Sequence, residues 1–264
     1  MLKIKLPLVL SFLLALSACG GGGGGGSSGT TPTPEPVVPP TLDLRTAWNN
    51  FGTTTSTNNF TISGVLNNLT LGGSGTLLIT NSSPASVNVF NPSNPFLGKT
   101  VTLSNLVKVN SATSGTLIES GTSTAISAAE ELYVDTNGQY KAINDVGANE
   151  QTLITSFTNL PNAVTAGSGG SFYTGTIYSR LGYTCGTSTS SFTVASETNT
   201  SLLVTFTNSQ NTQQQAVGQC STSVFTSQII YRLTANGITL VKRTASDSNF
   251  TGSLIQTFQQ ASGS

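Results

Sequence analysis

The chain has 264 residues, a formal net charge of zero and only 8% charged residues, about a third of the usual share. No run of Lys or Arg is present, which excludes the clustered phosphate neutralisation that nucleic-acid binding needs. Apolar residues make up 36% of the chain, enough for a core, and the rest is dominated by Thr, Ser, Asn and Gly.

The chain opens with Lys3 and Lys5, followed by an apolar stretch over residues 6–16 that only Pro7 and Ser11 interrupt. That stretch is too short to span a bilayer and reads as a signal peptide covering residues 1–18. Leu16-Ser17-Ala18-Cys19 resembles the lipobox of bacterial lipoproteins. The resemblance implies cleavage before Cys19 and lipid on its sulfur and new amino group. The predicted partner is therefore a membrane, held through acyl chains worth ~0.8 kcal/mol per buried methylene. Gly20 stands where enterobacterial inner-membrane lipoproteins carry Asp, so the resemblance implies the outer membrane of the envelope. Loss of Lys3 and Lys5 leaves eight basic against ten acidic side chains, a mature net charge of −2.

Residues 19–41 form a tether. An unbroken glycine run at 20–26 gives way to Pro32, Pro34, Pro36, Pro39 and Pro40, flexible coil followed by extended polyproline II. Its reach is on the order of 25–30 Å. The glycine run is not a phosphate loop, because no strand precedes it and prolines follow.

The body spans residues 42–264. Leu42, Leu44, Ala47, Trp48 and Phe51 have near-helical spacing, and Thr41 is placed to cap a short helix over 42–51. Trp48, the sole tryptophan, reads as a core anchor. Thereafter the pattern is strand and turn. Strands are predicted over 60–66, 71–80, 86–90, 100–109, 115–120, 131–134, 140–143, 152–157, 171–181, 191–196, 201–208, 223–233, 238–243 and 253–259. Asn67-Asn68 marks a turn, and Asn137-Gly138 and Asn236-Gly237 mark hairpins. The prediction is an all-β, antiparallel meander forming a curved sheet, barrel or sandwich with one short N-terminal helix. The halves 42–150 and 151–264 are readable as two β units or as one meander. In leader, glycine run and strand rhythm the chain resembles uncharacterised β-rich lipoproteins of betaproteobacteria, a resemblance that implies no activity.

With Cys19 assigned to lipid, Cys185 and Cys220 are an even pair in an oxidising compartment, which predicts a disulfide. Histidine is absent. That removes Ser-His-Asp and Cys-His catalysis and most zinc sites, so no metal and no cofactor is expected. The Gly25, Ser27 and Gly29 match to Gly-x-Ser-x-Gly lies in the tether and cannot form a nucleophile elbow. Glu130 and Glu131, being adjacent, point to opposite faces of a strand. Glu119 and Glu131 are the carboxylates that strand pairing could bring together. Asp135 precedes the Asn137-Gly138 turn and reads as a turn residue, because the twelfth position of a calcium loop counted from it is Val146. In the aromatic segment Phe172 and Tyr178 are expected on one face, packed in the core. Tyr173 and Tyr183 are expected on the other as a surface ligand patch, provided no bulge intervenes.

These readings point to a non-enzymatic, membrane-anchored binding or structural module, with an apolar ligand or another envelope component as its partner. The competing expectation is a carboxylate-dependent hydrolase of envelope polysaccharide. A lined cavity in a closed sheet would mark the first, and two convergent carboxylates in a groove the second.

Overall fold

A computed structural model describes residues 40–90, 100–146, 150–179, 181–213, 220 and 222–259. The leader, the tether over 19–39 and the lipidation site Cys19 lie outside the described residues. One helix, α1 (Leu44–Thr53), precedes twelve strands. These are β1 (Ser56–Leu66), β2 (Leu69–Phe90), β3 (Thr100–Glu119), β4 (Thr122–Val134), β5 (Tyr140–Asp145) and β6 (Glu150–Phe157). They continue as β7 (Gly169–Ser179), β8 (Thr184–Ser196), β9 (Ser201–Thr212), β10 (Ser223–Thr234), β11 (Gly237–Asp247) and β12 (Gly252–Phe258).

Every strand pairs antiparallel with its sequence neighbours, and β1 pairs with β12 to close the barrel, Phe60 opposite Phe258 and Leu66 opposite Gly252. Of the expected alternatives, barrel is therefore the architecture, and both halves of the chain belong to one sheet. Closure joins the first and last strands, so that within the barrel wall each described strand has a neighbour on both sides.

The turns follow the local chemistry. Asn67 and Asn68 have φ of 49° and 66°, the left-handed pair that a two-residue hairpin turn demands and that Asn tolerates. Ala235 and Asn236 join β10 to β11, with Thr234 opposite Gly237. Asp135 caps the β4–β5 turn, its Oδ1 accepting from Asn137 N at 2.8 Å and Gln139 N at 3.0 Å.

Inside and outside differ in kind. Along β8, Cys185, Ser188, Ser190, Phe192 and Val194 are buried, while Thr187, Thr189, Ser191 and Thr193 are exposed. On this strand the hydroxyls of Thr187, Thr189, Ser191 and Thr193 form the outer face, and the inward face passes from Cys and Ser to Phe and Val. No helix among the described residues is long and apolar enough to cross a membrane.

Two pairs of predicted strands are single strands. The runs 71–80 and 86–90 both lie in β2, and 100–109 and 115–120 both lie in β3. Polar residues between them read as breaks, but register shifts at Ser82/Ala85 and Ala85/Val87 bend the hairpin without ending it. Its outer part folds back over the barrel wall. Val87, Val89 and Leu106 pack on Tyr133 and Ala142, and Gln151 Nε2 donates to Asn88 O at 2.9 Å.

The helix starts two residues later than expected, and its N-cap is Asp43, not Thr41. The Asp43 carboxylate accepts from Thr46 N at 2.9 Å and Thr46 Oγ1 at 2.8 Å, bonds that hold its carboxyl below the usual range. Leu42 instead forms a bridge with Val164, and Arg45 Nε donates to Leu160 O at 2.6 Å. The helix is thus tied to the β6–β7 connection. Trp48 rings meet Phe172 of β7, Phe206 of β9 and Tyr231 of β10. A side chain touching strands so far apart in the sheet must project into the lumen, so α1 plugs one end of the barrel.

At the opposite end Cys185 and Cys220 form the expected disulfide, with Cα atoms 5.5 Å apart, packed on Ile177. It fastens the segment before β10 to the start of β8.

Candidate functional site

Twelve strands enclose more space than their inward side chains fill. Beside β1, and beside β2 and β3 around Gly75 and Gly115, the space is taken. Gly75 faces Phe60, and a Cβ there would stand 2.7 Å from Phe60 Cζ and 2.3 Å from Ser114 O. Glycine at this position admits the ring. Farther along β2 and β3, at Leu77, Ile79, Val107, Val109 and Ser111, and on round through β4, β5 and β7 to β11, a cavity of about 410 Å³ remains, within the range of small-molecule sites.

Its walls divide by chemistry. Near α1 they are aromatic and aliphatic, with Trp48, Phe51, Phe172, Phe206, Leu240 and Leu132 contributing. The Trp48 indole lies 4.5 Å from Phe206 and 5.2 Å from Tyr231, centroid to centroid. Its Nε1–H donates to Tyr140 Oη at 3.1 Å, which fixes the indole across the lumen.

The polar lining comprises Glu130, Arg243, Ser190, Asn208 and the phenols of Tyr140, Tyr173 and Tyr231. Ser190 stands opposite Tyr173 on one side and Asn208 on the other. Asn208 Nδ2 donates to Ser227 Oγ at 2.6 Å. The Ser190 hydroxyl is buried and has no hydrogen-bond partner among the described residues. Burial lifts the Tyr173 and Tyr231 phenols to about 12 and raises Tyr140 well above its ordinary value.

Burial also raises the Glu130 carboxyl; the Arg243 guanidinium across the lumen opposes this, and Asp145 beside it adds to it. Glu130, Asp145 and Glu150 occupy facing positions on β4, β5 and β6. Glu150 is pushed up to about 7 by burial and then by Asp145. Among the described residues no group of three or more acidic, Cys or His side chains is placed to hold a metal.

The cavity reaches the barrel end between α1 and the β4–β5 turn, where Asn49, Gly52, Thr136 and Asn137 contribute to its lining. A Cβ on Gly138 would stand 3.2 Å from Asn49 Oδ1, so turn and helix abut at this rim.

The predicted Tyr173–Tyr183 surface patch does not form. Register shifts between Ser171 and Tyr173 and between Ile177 and Tyr178 interrupt the two-residue alternation of β7. Phe172 and Tyr173 are both buried, at 2% and 6% exposure, and both line the cavity. Tyr178 instead faces outward beneath the folded-back hairpin, its ring 5.8 Å from Phe90. Tyr183 lies in the β7–β8 connection, its N–H donating to Ser179 Oγ at 3.2 Å. It lies at the end away from α1.

Glu119 and Glu131 are not brought together either. Glu119 ends β3 opposite Thr122, whereas Glu131 pairs with Asn110 farther along the same ladder. Glu131 faces outward, 2.8 Å from Lys108 Nζ. Burial opposes its ionisation, but hydrogen bonds from Lys108, Tyr133 and Asn144 outweigh that and hold its carboxyl below the ordinary value.

Arg243, Glu130, Ser190, Asn208, Phe206 and Tyr231 were not singled out as a constellation by the sequence. The inward serines of β8 carry a readable signal, since Ser188 and Ser190 continue the alternation of Phe192 and Val194. Arg243 carries none. Leu240 and Arg243 share the interior because β11 bulges opposite Ile230/Tyr231. No family model, curated protein or solved structure matches the chain.

Proposed function

We propose that this chain is a lipid-anchored protein of the bacterial envelope whose barrel binds one small apolar or amphipathic molecule without transforming it. The observation that carries this reading is the cavity of about 410 Å³, aromatic near α1 and polar farther in. Small-molecule sites share this make-up, an apolar wall with a few polar groups that orient the guest. The lining holds two carboxylates, Glu130 on the inner wall and Asp135 in the rim turn, where two backbone N–H groups and Lys141 hold it. Asp135 is thereby committed to its turn, which favours binding over two-carboxylate hydrolysis, a reaction that needs a second acid facing the same substrate.

The anchor rests on Leu16-Ser17-Ala18-Cys19 and the Gly/Pro tract behind it, and Gly20 points to the outer membrane. Pro40 lies just ahead of α1, so the tether enters at the end of the barrel where the cavity reaches the rim.

Trp48 lines the cavity and is the sole tryptophan, so its emission reports occupancy directly. Titration with the neutral fluorophore N-phenyl-1-naphthylamine should give saturable energy transfer from Trp48 at one probe per chain. Transfer that never saturates, or none at all, would sink the binding reading. Mass spectrometry of protein from native membranes should find acylated Cys19 at the mature N-terminus; an intact leader or a bare thiol would remove the anchor.

A further inference from the structure

Donors outnumber acceptors in the inner polar lining, where Glu130 and the Asn208 amide oxygen are the acceptors beside the hydroxyls. Arg243 presents a guanidinium, which only donates. Ser190 has a buried hydroxyl, 4% exposed, with no partner among the described residues. Tyr140 Oη already accepts from Trp48 Nε1, which leaves its proton to be given to another acceptor. Tyr173 and Tyr231 add two further buried phenols. Donors gathered inside an apolar enclosure call for an acceptor that brings several lone pairs, and a carboxylate brings the most for its size.

We propose that the occupant is an apolar carboxylic acid bound as its anion, its head between Arg243 and Ser190 and its hydrocarbon body against Trp48 and Phe206. This rests on the cavity being a ligand site and goes further, because it names the head group that the site reads. The aromatic wall nearest α1 takes the body, so the acid enters head first between α1 and the β4–β5 turn.

Glu130 makes the preference pH-dependent. It is faced by Arg243 from β11, Asp145 and Tyr140 from β5, Tyr173 from β7 and Tyr231 from β10, with Glu150 of β6 beyond Asp145. Protonated, Glu130 is one more donor to the guest. Ionised, it repels the guest and competes for Arg243. Buried, it keeps its proton to higher pH than an exposed carboxyl, so carboxylate binding is strongest on the acid side and falls as pH rises.

The test displaces N-phenyl-1-naphthylamine from the full mature chain with decanoate, decanol or decylamine, guests that differ only in the head. At pH 6 decanoate should displace the probe at about one-tenth the concentration that decanol requires, the worth of one charge-assisted contact. Arg243→Gln should bring decanoate to the level of decanol while decanol itself changes little; Arg243→Lys should keep part of the advantage. Between pH 6 and pH 9 the advantage should shrink in the parent and persist in Glu130→Gln. If Arg243→Gln fails to fold, Arg243→Lys and Glu130→Gln still read the head-group preference and its pH dependence. Decanol matching decanoate in the parent would overturn the inference and leave the cavity reading intact. Decylamine binding best would also overturn it and make Glu130 the counter-ion. A probe that does not bind at all would defeat both readings.

Discussion

Two sectors of one barrel interior are built from the same kind of strand and end differently. Beside β1 and the 71–75 stretch of β2 glycine meets large apolar side chains, and Phe60 lies over Gly75 so closely that no Cβ fits between them. Beside β7 to β11 the inward positions carry serine, asparagine and arginine among aromatic rings, and a cavity remains. Glycine opposite phenylalanine is a packing solution, in which one residue gives up volume so that its neighbour can use it. Serine and arginine facing open space supply polar groups that hydrocarbon cannot satisfy. The lesson is that the hollow sector is specified residue by residue, as the filled one is, and toward a different end.

That contrast can be broken experimentally, most strongly in the filled sector. Phe60→Ala removes a ring that is 2% exposed and should cost about 3–5 kcal/mol, the usual range for a buried Phe, read from urea unfolding midpoints. The disulfide at the floor of the hollow sector comes next. Its sequence separation of 35 predicts a loss of about 3–4 kcal/mol from the chain-entropy relation for the double Cys185→Ala and Cys220→Ala variant. A third comparison sets Leu71 against Leu240, buried at 3% and 4% exposure. Leu71→Ala should cost about 3 kcal/mol, but Leu240→Ala only about 2, because Leu240 already faces empty space on one side and has fewer contacts to lose. Equal losses would mean that the hollow sector is as tightly packed as the filled one.

The smallest effect is a dependence on pH. Glu150 titrates near 7 in the folded chain and near the ordinary Glu value once unfolded. The folded chain therefore binds more protons, and stability falls as pH rises from about 4.5 through about 7. The loss should be on the order of 1 kcal/mol after screening. Unfolding midpoints at pH 5 and pH 8 should differ in that direction, and Glu150→Gln should flatten the difference.

Much of the barrel was legible in the sequence. The inward and outward sets of β8 and β9 follow simple alternation, and the turn at Asn67-Asn68 and the Cys185–Cys220 bridge lie where local chemistry placed them. Ser120-Gly121, which joins β3 to β4 with φ of 48° and 85°, carries a weaker local mark, because the strand on its far side begins in a weakly apolar stretch. Closure was legible only as one of three alternatives. Pairing Phe60 with Phe258 is a long-range event with no local mark.

The site was less legible than the fold, and the reason is local. Bulges in β7 and opposite Tyr231 in β11 reverse the sense of alternation. They turn Tyr173 inward when simple alternation placed it outward, and they carry Arg243 into the lumen. A bulge adds one residue and leaves no compositional trace, yet it re-aims every side chain beyond it.

The pairing of β1 with β12 also governs the order of assembly. Hairpins from β1 to β11 can form as the chain emerges, but the first strand must wait with one exposed edge until the last strand exists. Loop-closure entropy makes such a first-to-last contact slow. A chain truncated before β12 would keep two open edges, at β1 and β11, and with them a template for pairing between copies. The final seven-residue strand, Gly252–Phe258, thus acts as a completion signal that converts an association-prone ribbon into a self-contained vessel.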